Sequence, residues 1–114
     1  GNFFFIGSNG KLINHRDTKK ILPYVFGKIN INNFIQFVKI IHQSKFNYNQ
    51  IKEIYFFPSG RWDIKTKDNQ LIKLPIENLR FKLDSISKIN NIEKFKNAKI
   101  IDLRFANKII TTNE

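Results

Sequence analysis

Asp102 and Arg104 stand two residues apart in AKIIDLRFANKIITT (98–112), the most strand-like stretch of the 114-residue chain. In an extended segment side chains alternate faces, so Ile101, Leu103 and Phe105 share one side and Ile100, Asp102 and Arg104 the other. A carboxylate and a guanidinium on one exposed face form an ion pair that contributes about 0–1 kcal/mol. The remaining reactive side chains do not converge. His15 and His42 are far apart, and His42 borders the apolar stripe of a helix, which suits packing or surface exposure. Cysteine is absent, which excludes disulfides, thiol catalysis and thiolate metal sites, and no His pair has helical ligand spacing. Gly7, Gly10, Gly27 and Gly60 each stand at a turn, and none belongs to a phosphate-cradling loop. With nine dispersed acids, the chain is expected to be no enzyme, to use no cofactor or metal, and to take no small-molecule substrate. Trp62, the only tryptophan, reads as a core anchor rather than a stacking platform.

The formal charge is +11, from 20 Lys+Arg against 9 Asp+Glu, which raises nucleic acid as a partner. Only Arg16, Arg61, Arg80 and Arg104 are arginines, however, and the lysines are scattered along a sequence rich in Ile, Asn and Phe, all residues of A/T-rich codons. Phosphate-reading surfaces favour Arg forks in concentrated stripes. A basic nucleic-acid-binding module is therefore the alternative function, and it requires lysines gathered on one face and heparin retention that falls steeply with salt. No apolar run approaches the roughly 20 residues of a membrane helix. Without an initiator Met or signal peptide, the chain is expected to be one domain cut from a larger protein.

The elements that must position these residues follow from periodicity. NFFFIGSNGKLIN (2–14) reads as a hairpin turning at Ser8-Asn9-Gly10, HRDTKK as a solvated loop, and LPYVFG (22–27) as a short apolar turn. Ile31, Phe34, Ile35, Val38 and Ile41 make one stripe of a helix over 31–45, capped by Asn30 or Asn32. IKEIYFF (51–57), RWDIKTK (61–67) and LIKL (71–74), joined by PSG and KDNQ, form an antiparallel meander. Pro75 can open a second helix, with Glu77 near its N-terminal dipole, Ile76, Leu79, Leu83 and Ile86 as its stripe, and Asn90-Asn91 at its end. IEKF (92–95) adds one helical turn, and strands 99–105 and 108–112 close the chain. The fold class is α+β: an antiparallel sheet of meander and terminal hairpins, with amphipathic helices packed on one face.

Three of these segments carry a resemblance. LPYVFG looks like the LP-x-x-x-G segment of the FtsQ/DivIB family of bacterial cell-division proteins, RWDIKTKDNQLIKL resembles its Trp-led hairpin, and IIDLRF resembles its (V/I)-D-L-R-(Y/F) motif. Their order and spacing span most of the chain. The resemblance is to the membrane-distal β domain alone, lacking its first strand, and implies an upstream POTRA domain, membrane helix and cytoplasmic tail. Pro75 stands where many members have Gly, and FANK lacks the usual Gly of the last hairpin.

What the resemblance implies is a non-catalytic divisome scaffold in the bacterial inner membrane, with this domain periplasmic and at the septum. Its partners would be FtsB and FtsL, with a segment of FtsB adding to the edge of the last strand. By motif, Ile100, Arg104 and Phe105 match interface positions on the penultimate strand and Asn107 one in the turn. Lys108, Ile109, Ile110, Thr111 and Thr112 form the strand that would offer its edge. Arg104 would meet a partner carboxylate, with Asp102 orienting it. Arg104 and Phe105 cannot share a face in a regular strand, so a bulge or a side chain reaching round the edge is expected.

Overall fold

The structure is a computed structural model that describes residues 4–5, 23–89, 92–105 and 108–112. In chain order it comprises β1 (Phe4–Phe5), β2 (Tyr24–Phe26), α1 (Ile31–Gln43), a 3-10 turn (Tyr48–Gln50), β3 (Ile51–Phe56), β4 (Trp62–Thr66) and β5 (Leu71–Lys73). Then come α2 (Leu79–Ile89), α3 (Glu93–Lys96), β6 (Ile100–Asp102) and β7 (Ile110–Thr112). The seven strands lie side by side in sequence order. No helix among the described residues is long and apolar enough to cross a membrane.

The fold is α+β, as expected, but its sheet is mixed rather than wholly antiparallel. β3, β4 and β5 form the expected meander, and β1–β2 and β6–β7 are antiparallel. β2 pairs with β3, and β5 with β6, in parallel. Each parallel pair is separated in sequence by a helix, which is the kind of crossover that parallel neighbours need. Both crossovers step the same way along the sheet between strands of one direction. Their common right-handed preference sets both helices on one face, where α1 and α2 touch.

That face is the core. Val25, Ile54, Ile64, Ile72 and Ile101 are register partners in one row across five strands, and each is at most 1% exposed. Onto the row α1 lays Phe34, Phe37, Val38 and Ile41, and α2 lays Leu83 and Ile86. Trp62 fulfils its expected role: its ring stacks on Phe37 at 4.5 Å and meets Phe34 edge-on at 5.9 Å. Asn30 is the cap of α1, its side chain accepting from Asn32 N–H at 2.9 Å and Asn33 N–H at 3.3 Å. His42 is exposed and stacks on buried Tyr48 at 5.3 Å, a packing role.

Several boundaries differ from expectation. LPYVFG is not a turn but carries strand β2, whose Val25 is fully buried. Gly27 follows it at φ +115°, and a Cβ there would lie 2.4 Å from the Phe56 carbonyl oxygen, so the residue lets β2 leave the sheet against β3. α1 stops at Gln43, where Ser44 donates to the Ile41 carbonyl through Oγ at 2.6 Å. α2 starts at Leu79 rather than Pro75. Asn78 adopts φ +57°, which no helix propagates, leaving Glu77 outside the helix and Ile76 61% exposed. Apart from Phe4–Phe5, the 2–14 hairpin lies outside the described residues, as do the HRDTKK loop, Asn90-Asn91 and Asn107.

Candidate partner-binding edge

The sheet ends at β7, and hydrogen-bond parity fixes which of its backbone groups look outward. In the parallel β5–β6 pair, Leu71 N–H donates to the Lys99 carbonyl at 2.8 Å and Leu103 N–H to the Lys73 carbonyl at 2.9 Å. Odd-numbered positions of β6 thus face β5, and Ile100 and Asp102 face β7, opposite Thr112 and Ile110. Thr112 and Ile110 turn their backbone groups inward. By alternation, the N–H and C=O of Thr111 point away from the sheet, as do those of Ile109 where the extended backbone continues. Among the described residues no strand pairs with that outer side.

The two faces of this ribbon differ. Towards the helices, Ile101 and Leu103 are buried and Thr111 lies in register with Ile101. On the open face Ile100 is half-buried, Ile110 is 38% exposed and Thr112 is exposed. The same face carries a row of alternating charge. Asp63, Lys73 and Asp102 are register partners across β4, β5 and β6, with Arg61 bonded to Asp63 and Arg104 to Asp102. Both carboxylates are buried, Asp63 at 4% and Asp102 at 7% exposure, so the row is satisfied within the protein.

Those carboxylates respond in opposite directions. Asp102 accepts from Arg104 three times: from the backbone N–H at 3.1 Å, from Nε at 2.8 Å and from Nη2 at 2.7 Å. Arg104 therefore holds the Asp102 carboxyl below its ordinary range, with Lys73 adding a smaller pull, and is itself held more firmly protonated. At Asp63 burial dominates and pushes the carboxyl up, against the opposing pull of Arg61, Lys73 and the Leu74 N–H. On the same face Tyr55 bonds to Glu53, and desolvation together with that contact pushes its phenol up to about 12.

The expected strand 99–105 is only three residues long, and this removes the conflict over faces. Arg104 and Phe105 lie beyond the end of β6, so strict alternation does not govern them, and no bulge is needed to bring both to the same end of the ribbon. Arg104 turns back onto Asp102 along its Nε–Nη2 side. Its remaining Nη1–Nη2 side meets no described acceptor, and the side chain is 38% exposed. Phe105 is 41% exposed; its carbonyl accepts from Lys82 Nζ of α2 at 2.8 Å, and its ring has Lys108 Nζ 5.2 Å from the centroid.

Of the residues singled out from sequence, the structure brings Ile100, Arg104, Phe105 and Lys108 together with Ile110, Thr111 and Thr112 at this last ribbon. Ile109 is half-buried against the core, and Lys108 precedes β7 rather than joining it. Lys82 and Lys73 were not foreseen. Lys82 lies 23 residues before the carbonyl it holds, and Lys73 is placed by a parallel pairing that local pattern does not encode. Among the described residues no group of three His, Asp or Glu side chains could hold a metal ion. The model of the family "Cell division protein FtsQ/DivIB, C-terminal" matches residues 1–104, ending at Arg104 and short of β7. No curated protein matches the chain.

Proposed function

Because the chain belongs to the FtsQ/DivIB family of cell-division proteins, a family of non-catalytic scaffolds, we propose that it is a divisome β domain that binds the FtsB–FtsL subcomplex through β7. A partner segment adds as a further strand, its backbone meeting the outward N–H and C=O groups of Thr111 and, where the pairing extends, Ile109. Each such bond contributes about 0.5–1.5 kcal/mol net, so three or four give a modest affinity that side chains must sharpen. Ile110, Thr112 and Ile100 supply the apolar part of the open face. Arg104, oriented by Asp102, offers its remaining donors to a partner carboxylate, with Phe105 next to it in the chain and Asn107 kept as the interface position that the motif assigns to the turn. The observation that carries this reading is the outer flank of β7, which no described strand covers.

In this reading residues 1–114 are one β domain, its first strand and the POTRA domain, membrane helix and cytoplasmic tail lying upstream. The full protein is then a bitopic inner-membrane protein with this domain in the periplasm at the septum. β7 is only three residues long, with Lys108 two positions before it, which limits the hazard of an open edge until the partner arrives. The test is titration of the 114-residue chain with the periplasmic segment of FtsB. Deleting 108–112 is expected to abolish binding, and Arg104→Glu to weaken it about ten-fold or more. Undiminished binding by the deletion variant would overturn strand addition, and unchanged affinity of Arg104→Glu the role given to Arg104.

A further inference from the structure

Lysines that are scattered in the sequence are gathered by the fold. Lys45 follows the end of α1, Lys88 lies in the last turn of α2 and Lys96 ends α3. Lys52 lies at the start of β3, Lys67 follows β4 and Lys99 precedes β6. These positions share one end of the sheet, since Ile51 pairs with Thr66, Leu71 pairs with Ile100, and Lys67 N–H donates to the Gln50 carbonyl. The Gln70 amide ties α3 to the same end, donating to the carbonyls of Phe95 at 2.8 Å, Lys96 at 3.0 Å and Ala98 at 3.0 Å. All six lysines are exposed. The described acids near them are Asp68, Glu93 and Asp84, and Asp84 is engaged by the Lys45 N–H at 2.8 Å.

Helix C-termini account for part of the gathering, because cations there offset the negative end of the helix dipole. They do not account for Lys52, which lies within the first residues of β3, or for Lys67 and Lys99, which flank strands. Among these elements opens a cleft of about 320 Å³, lined by Lys45 and Lys96 against the single carboxylate of Asp68, by Phe46 with the core residues Ile72 and Ile86 behind it, and by Gln50 among its polar groups. We propose that this cleft docks an acidic protein segment carrying one apolar side chain. The apolar residue packs on half-buried Phe46, above the core side chains of Ile72 and Ile86, and flanking carboxylates meet Lys45 and Lys96. The complementarity is one of charge, a lysine end on a chain of net +11, joined to an apolar pocket. Nucleic acid fits less well: none of the six cations is an arginine, and the one aromatic residue lining the cleft, Phe46, is half-buried rather than open for base stacking. This surface lies at the opposite end of β6 from Arg104 and Phe105 and does not depend on the role given to β7.

The test uses the 114-residue chain and a short fluorescein-labelled peptide of Asp and Glu with one central Leu, followed by fluorescence anisotropy. Exchanging the Leu for Ser, or the double substitution Lys45→Glu/Lys96→Glu, is expected to weaken binding about ten-fold each. Lys28→Glu/Lys39→Glu, with the same change in net charge away from the cleft, is expected to weaken it less than about two-fold. Deleting 108–112 leaves the affinity unchanged. Equal losses in the two double variants would reduce the effect to net charge and overturn the proposal. So would tighter binding of an oligothymidylate or of phosphatidylglycerol vesicles than of the peptide. All four substituted lysines are exposed, and Lys45→Gln/Lys96→Gln, expected to show a smaller loss of the same sense, provides a milder second variant.

Discussion

The opposed behaviour of Asp102 and Asp63 gives the sharpest test of the charged row. Asp102→Asn keeps the shape of the side chain and one acceptor oxygen but removes the charge that Arg104 engages through its N–H, Nε and Nη2. Charge-assisted bonds of this kind are strong, but the Arg104 side chain is 38% exposed and solvent screens the pair, so the loss at neutral pH is about 1 kcal/mol. For a domain of this size that lowers Tm by about 4 °C. The pH dependence carries the sign. Asp102 is held below its ordinary value in the folded state, so its stabilisation is complete above the unfolded carboxylate value of about 3.9 and is lost as pH falls through the lowered folded value. Urea unfolding of wild type and Asp102→Asn should therefore differ fully at pH 7, and the gap should close on acidification. Asp63 has the opposite sign: burial raises its folded value, so ionised Asp63 carries a penalty at neutral pH that is relieved as pH falls through that value. Asp63→Asn is accordingly expected to cost less at pH 7 than Asp102→Asn. A gap for Asp102→Asn that persists unchanged in acid, or an Asp63→Asn variant that is the more damaged at pH 7, would refute the opposed assignments.

Two further outcomes test the packing. Gly27→Ala puts a methyl group into the Phe56 carbonyl at a positive φ, so a loss of about 2 kcal/mol or more is expected in urea unfolding, well beyond an ordinary Gly→Ala change. Tyr48 carries a buried hydroxyl with no hydrogen-bond partner among the described residues, and burial pushes its phenol up to about 12. Tyr48→Phe removes that unsatisfied group without a cavity, so stability should be unchanged or raised by about 1 kcal/mol, read as an equal or higher urea midpoint.

The amphipathic stripes of both helices, the meander with Trp62 turned inward and the Asp-Leu-Arg-Phe motif were legible in the sequence, because each rests on spacing within a few residues. The same spacing placed Ile101 and Leu103 on the buried side and Asp102 beside Arg104. What local pattern could not supply was pairing between segments far apart in the chain. The parallel partnerships of β2 with β3 and β5 with β6, and with them the row Asp63–Lys73–Asp102, exist only once the helical crossovers have closed. β2 escaped notice because three residues carry no period, and its burial comes wholly from neighbours that arrive later in the sequence. α2 began late because a left-handed Asn78 outweighed the helix-opening preference of Pro75. The gathering of the lysines at one end was equally invisible, since it depends on where six different elements start or stop. Periodicity encodes which way a side chain faces within its own element, whereas the identity of the neighbour across the sheet is settled by the burial gained when the whole row of Val25, Ile54, Ile64, Ile72 and Ile101 comes into register.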